Sequence, residues 1–107
     1  MEYREWLEKE NAKTGLVDFK WLGNLTDGRG LSVQNPQLWV LETGHEIRVE
    51  STKVDDRPSR WTTVGRCLND PAHAGPFVLD WEWRKYGGVV AASHALVQKH
   101  WSGLPAL

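Results

Sequence analysis

The sequence predicts an α+β fold: a two-layer sandwich with an antiparallel sheet of about 4–6 strands and two helices, one N-terminal and one C-terminal, packed on one sheet face. Three observations predict it. Helical periodicity occurs at both ends of the chain, and period-two alternation fills the middle. The connections between alternating segments are mostly of hairpin length, whereas parallel neighbours need crossovers of a dozen residues or more.

Residues 2–13 read as an amphipathic helix. Tyr3, Trp6 and Leu7 share one stripe, Glu5 and Lys9 form an i,i+4 pair on the wet side, and Gly15 supplies a stop. From Leu16 the period changes. Val17, Phe19 and Trp21 alternate with Asp18 and Lys20, as in a half-buried strand. Residues 23–30 are dense in turn formers, and Leu31 to Gln34 reads as a short strand ended by Asn35-Pro36. Leu38 to Glu42 and Glu46 to Ser51 flank Thr43-Gly44 as a β-hairpin with two admissible registers. A two-residue turn pairs Val40 with Ile47, whereas a three-residue loop ending at Gly44 pairs Trp39 with Ile47. Only the second puts Trp39 and Ile47 on one face.

Asp55 to Arg60 reads as a polar connection and Trp61 to Cys67 as the next strand. After a loop held open by Pro71 and Pro76, Phe77 to Lys85 is the clearest strand. Phe77, Leu79, Trp81 and Trp83 take one face; Asp80, Glu82 and Arg84 take the other. Gly87-Gly88 breaks it. Val89 to Trp101 is the second helix, with Val89, Val90, Ala92, Leu96, Val97 and Trp101 as its apolar face; Gly103 and Pro105 end it.

At 107 residues the chain fits one domain, 1–107, with one hydrophobic core. Its 13 Lys and Arg nearly balance 14 Asp and Glu, and no run of like charges occurs. That balance argues against both a phosphate-backbone binder and an acidic mimic of DNA, so nucleic acid is not an expected partner. The single cysteine, Cys67, excludes an internal disulfide framework and a Cys-rich zinc module, and fits a reducing compartment. The first residues are too charged for a secretory signal, and no apolar stretch is long enough to span a membrane. The cytoplasm is the expected address.

Trp83-Arg84-Lys85-Tyr86-Gly87 resembles the signature pentapeptide of the plant WRKY-type zinc transcription factors. In that family further strands follow, carrying the Cys and His pairs that bind zinc. Here the 20 residues after Gly87 read as helix and hold no cysteine, so the resemblance ends with those five residues. No phosphate-binding loop, dinucleotide glycine fingerprint, His-Glu-x-x-His or nucleophile elbow is present.

Cys67, Asp70 and His73 bring a thiol, a carboxylate and an imidazole into one loop, the residue types of an activated nucleophile. Such groups normally assemble from distant parts of a fold, so no catalytic residue is assigned. His45, His73, His94 and His100 lack a spacing that converges on a metal, and neither a metal nor a cofactor is expected. Asp80 and Glu82 share one strand face beside Arg84, an arrangement useful to a ligand only where that face lines a cleft.

Seven tryptophans, at 6, 21, 39, 61, 81, 83 and 101, are many for this length; most are expected in the core and a few on a contact surface. The expected function is that of a small non-enzymatic protein-interaction domain, of the accessory kind found in phages and other mobile elements. Its partner is expected to be another protein or a second copy in a homodimer. Binding residues are expected among Trp39, Arg48, Trp61, Asp80, Glu82, Arg84 and His94. The alternative is a small-molecule-binding or enzymatic domain with a Trp-lined pocket between sheet and helices.

Overall fold

The computed structural model describes residues 16–21, by their backbone pairing, and residues 35–107 in full. Among the described residues five strands form an antiparallel meander in which neighbours in space are neighbours in sequence. They are β1 (Leu16–Trp21), β2 (Gln37–Leu41), β3 (Glu46–Asp56), β4 (Ser59–Cys67) and β5 (Phe77–Glu82). A 3-10 turn at Pro71–His73 interrupts the β4–β5 connection, and the helical turn α1 (Trp83–Tyr86) leads into helix α2 (Val89–Trp101). The α+β class, the antiparallel sheet and the C-terminal helix agree with the sequence. The expected helix over 2–13, turn over 23–30 and strand over 31–34 lie outside the described residues. No helix among the described residues is long and apolar enough to cross a membrane.

The β2–β3 hairpin takes the register that pairs Trp39 with Ile47. Gly44 adopts a φ of +92°, the left-handed position a three-residue loop demands at its last residue. The Leu41 and His45 main chains close the loop through a 2.9 Å hydrogen bond from Leu41 N to His45 O.

Two boundaries differ from the sequence reading. β3 runs to Asp56 and β4 starts at Ser59, so the expected polar connection shrinks to Arg57-Pro58. Its charges are compatible with strand because this end of the hairpin projects into solvent, where Lys53–Asp56 and Arg60–Asp55 pair at 2.7 and 3.1 Å. β5 ends at Glu82, and Trp83 belongs to a helical turn instead of the strand. Gly87, at φ +74°, closes that turn by donating its N–H to Trp83 O. Alternating hydrophobicity continues through Trp83 and cannot separate the two states; Trp83 is instead held by ring contacts to Trp61 and Trp81.

Helix α2 covers the sheet face that carries Trp39, Ile47, Val49, Cys67 and Phe77. With Leu41, Val97 and Trp101 these residues form the core, and Val90 and Leu104 close its border. Gly65 of β4 permits the close approach: a Cβ there would stand 3.1 Å from Leu96 and 3.2 Å from the Trp101 ring. Trp101 then reaches across to donate its indole N–H to His73 O at 2.7 Å, which ties the helix to the β4–β5 loop. The opposite face carries Arg48, Glu50, Thr62, Val64, Arg66, Val78 and Asp80, all exposed or half-buried.

Candidate functional site

At the hairpin end of the sheet the register sets Trp61 of β4 directly opposite Trp81 of β5. Opposite residues on paired strands share a face, so the two indoles stack, with centroids 5.8 Å apart and planes 19° from parallel. Trp83, delivered by the α1 turn, lies 5.6 Å from Trp61 and 6.0 Å from Trp81. Tyr86, one turn further, meets Trp81 edge-on at 5.6 Å. Four aromatic rings thus converge where two strands and one helical turn meet.

Their polar atoms are fixed locally. Trp61 Nε1 donates to Ser59 Oγ at 3.1 Å, and Trp81 Nε1 donates to Thr63 Oγ1 at 2.8 Å. Thr63 in turn shares a 2.7 Å hydroxyl contact with Ser51, and both residues are fully buried. Trp81 is almost wholly buried, whereas Trp83 remains 42% exposed. The outermost ring therefore presents an aromatic surface to solvent.

Beside the cluster a concavity of about 480 Å³ is lined by Val54, Arg60, Trp61, Thr62, Asp80, Trp81, Glu82 and Lys85. Its charged groups balance, two cations against two carboxylates. Asp80 accepts a 2.6 Å hydrogen bond from Thr62 Oγ1, Glu82 pairs with Arg84 at 2.8 Å, and Lys85 lies 5.6 Å from the Tyr86 ring centre. Arg60 pairs with Asp55, whose carboxyl is held below its ordinary range first by the Arg57 and Asp56 main-chain N–H groups and then by Arg60.

The residues expected from sequence separate into three places. Trp61, Asp80 and Glu82 line this concavity, and Arg84 stands at its edge through Glu82. Trp39 and His94 lie instead in the interior, fully and almost fully buried, with ring centroids 5.8 Å apart. Arg48 sits on the open sheet face directly opposite Arg66, away from the concavity. Sequence reasoning did not single out Arg60, Thr62, Lys85 or Trp83 as site residues. For Arg60 and Thr62 the signal was the pairing of the Arg60-Trp61-Thr62 run against Asp80-Trp81-Glu82, which becomes visible only once the register is known, whereas Trp83 and Lys85 are brought in by the α1 turn.

The loop at the opposite end holds the groups with nucleophile-like chemistry. Asp70 Oδ2 accepts from His73 Nδ1 at 2.9 Å and contacts His45 Nε2 at 3.1 Å, while Asp70 Oδ1 caps Ala72 N at 3.0 Å. His45 Nδ1 meets Thr43 Oγ1 at 2.5 Å. These contacts hold the Asp70 carboxyl below its ordinary range, the His73 hydrogen bond being the largest cause. The Cys67 thiol points elsewhere and donates to Asn69 Oδ1 at 3.3 Å. The buried His45 ring joins the β2–β3 turn to the β4–β5 loop, so this network acts as a clasp between two connections.

Comparison of the chain with protein-family models, with curated proteins and with solved structures finds no match to any of the three.

Proposed function

We propose that this chain is a non-enzymatic protein-interaction domain whose contact surface is the hairpin end of the sheet, centred on Trp83. The observation that carries this reading is a solvent-facing indole packed against two stacked tryptophans. A ring held this way gives up little conformational freedom on binding, and tryptophan and arginine are the side chains that most often dominate interface energies. Arg84, Lys85 and Glu82 supply the polar surround that such anchors have. A cytoplasmic address belongs to the same reading and rests on the single, buried, free cysteine.

The test compares the immobilised wild-type chain with Trp83→Ser in capture from an extract of the source cells, thermal melting first establishing that both are folded. A stoichiometric partner held by the wild type and lost from the variant supports the proposal. Equal capture by both, or none by either, refutes it.

A second reading follows from the concavity itself. Its volume falls within the range of small-ligand pockets, roughly 300–1,000 Å³, and Asp80, Arg60, Thr62 and Lys85 offer both hydrogen-bond donors and acceptors. A rise in melting temperature with a metabolite panel, abolished by Asp80→Ala, would favour this reading over the first.

A further inference from the structure

We propose that the concavity beside the aromatic cluster binds a small zwitterion, a free α-amino acid, whose ammonium is received by Asp80 and Thr62 and whose carboxylate is received by Arg60 and Lys85. This rests on the small-ligand reading of that concavity and names its ligand class; it does not depend on the surface around Trp83.

Four elements contribute to the concavity: Val54 comes from β3, Arg60 and Thr62 from β4, Asp80 and Glu82 from β5, and Lys85 from α1. The pairing of these groups leaves its charges unneutralised. Arg60 stands directly opposite Glu82, a position from which opposite charges ordinarily pair across a ladder. Each turns to a different partner instead. Arg60 Nη2 donates to Asp55 Oδ2 at 3.1 Å, and Glu82 Oε2 accepts from Arg84 Nε at 2.8 Å. Among the described residues Asp80 and Lys85 form no ion pair: Asp80 Oδ1 accepts the Thr62 hydroxyl at 2.6 Å, and Lys85 Nζ lies 5.6 Å from the Tyr86 ring centre. Opposite charges thus surround one small space without meeting across it.

That arrangement selects the charge of a ligand. A simple anion drawn to Arg60 and Lys85 also meets Asp80 and Glu82, and a simple cation meets the reverse; like charges brought together this way oppose binding. A molecule that carries both charges leaves neither set opposed. The hydrogen-bonding groups fit the same ligand. Thr62 gives its proton to Asp80, so Thr62 Oγ1 and Asp80 Oδ2 are left as neighbouring acceptors, and a primary ammonium has three N–H donors to offer them. The remaining N–H groups of Arg60 and the Lys85 ammonium donate to a carboxylate. The register sets the spacing. Arg60 and Asp80 are diagonal neighbours on paired strands, about 7–8 Å apart, and a charge-assisted hydrogen bond at each end takes about 2.8 Å. The space between suits an ammonium and a carboxylate carried on one carbon.

The common L-amino acids are screened against the full chain by thermal shift at neutral pH, and the best of them is titrated by calorimetry beside its N-acetyl and amide forms and 4-aminobutyrate. Removing either charge is expected to weaken binding about 10-fold or more, the effect of losing a charge-assisted hydrogen bond. Asp80→Asn and Lys85→Met, both at exposed positions, are expected to weaken it similarly while melting like the wild type. Arg66→Gln, on the open sheet face outside the concavity, is expected to leave it unchanged. Blocked forms that bind as tightly as the free amino acid overturn the proposal. So do Asp80→Asn and Lys85→Met variants that bind like the wild type, an Arg66→Gln variant weakened as much as they are, or tighter binding of 4-aminobutyrate. If no amino acid binds but another metabolite raises the melting temperature of the wild type and not of Asp80→Ala, the small-ligand reading stands and the zwitterion class falls. If no metabolite does so, both fall.

Discussion

Thr63→Val tests whether the aromatic cluster is held by the buried hydroxyl beneath it. Valine keeps the shape of threonine and removes only the hydroxyl. That hydroxyl accepts the Trp81 indole N–H at 2.8 Å and contacts Ser51 Oγ at 2.7 Å. Thr63 and Ser51 are fully buried and Trp81 is 5% exposed, so water cannot take over either contact. A buried polar group left without its partner costs about 1–3 kcal/mol, and two are stranded here, so the expected loss is about 2–6 kcal/mol. That is a large part of the roughly 5–15 kcal/mol that holds a typical domain folded. Thr63→Ser, which keeps the hydroxyl and loses one methyl, is expected to cost about 1 kcal/mol. Urea unfolding followed by far-ultraviolet circular dichroism measures each variant. Trp81→Phe completes a double-mutant cycle, because it removes the stranded donor. The double variant should be more stable than the sum of the single losses by about 1–2 kcal/mol. A Thr63→Val loss below about 0.5 kcal/mol, or an additive cycle, would refute this account of the cluster.

Gly65→Ala should destabilise by about 1–3 kcal/mol, since its Cβ would crowd Leu96 and Trp101; an unchanged urea midpoint would mean that helix α2 shifts freely. Asp70, held below its ordinary pKa first by His73, contributes stability in full above its unfolded value of about 3.9 and loses it as pH falls through the lower folded value. Asp70→Asn should therefore flatten part of the acid limb of a melting-temperature profile below about pH 4 while lowering stability at neutral pH. His100 titrates below its ordinary range, first through burial and then through the neighbouring Lys99 charge, and its ring stacks on Phe77 at 4.0 Å. Its neutral form is the one the fold prefers, so stability should fall as pH drops below about 6.5. His100→Phe, which keeps a ring against Phe77, should remove that slope between neutral and mildly acid pH.

The sequence made α2 legible in full because its apolar positions recur at helical spacing between two glycine signals; Val89–Trp101 is where the periodicity puts it. The alternation of Phe77, Leu79 and Trp81 likewise marked β5 and its buried face. The hairpin register was open because Thr43-Gly44 suits two loop lengths, and only the packing of Trp39 and Ile47 on one face chooses between them. Trp83 read as a strand residue because a period of two does not register where a strand ends. What ends it is Trp83 packing on Trp61, a contact 22 positions back along the chain that no local pattern contains. Trp39 and His94 were expected among the binding residues but are buried, because burial depends on what covers a face, which composition does not record.

The two ends of the sheet are held by different means, and the difference bears on which end recognises a partner. At the loop end, Asn69 Nδ2 donates to Gly44 O at 3.0 Å, Leu68 N to Glu46 O at 2.9 Å, and Leu107 N to Thr43 O at 3.0 Å. With the Asp70 contacts to His45 and His73, these bonds tie the two loops and the last residue of the chain together. At the hairpin end Thr52 to Pro58 are exposed, and stacked rings replace a covering loop. Stacking fixes ring positions while leaving the outermost indole and its charged neighbours open.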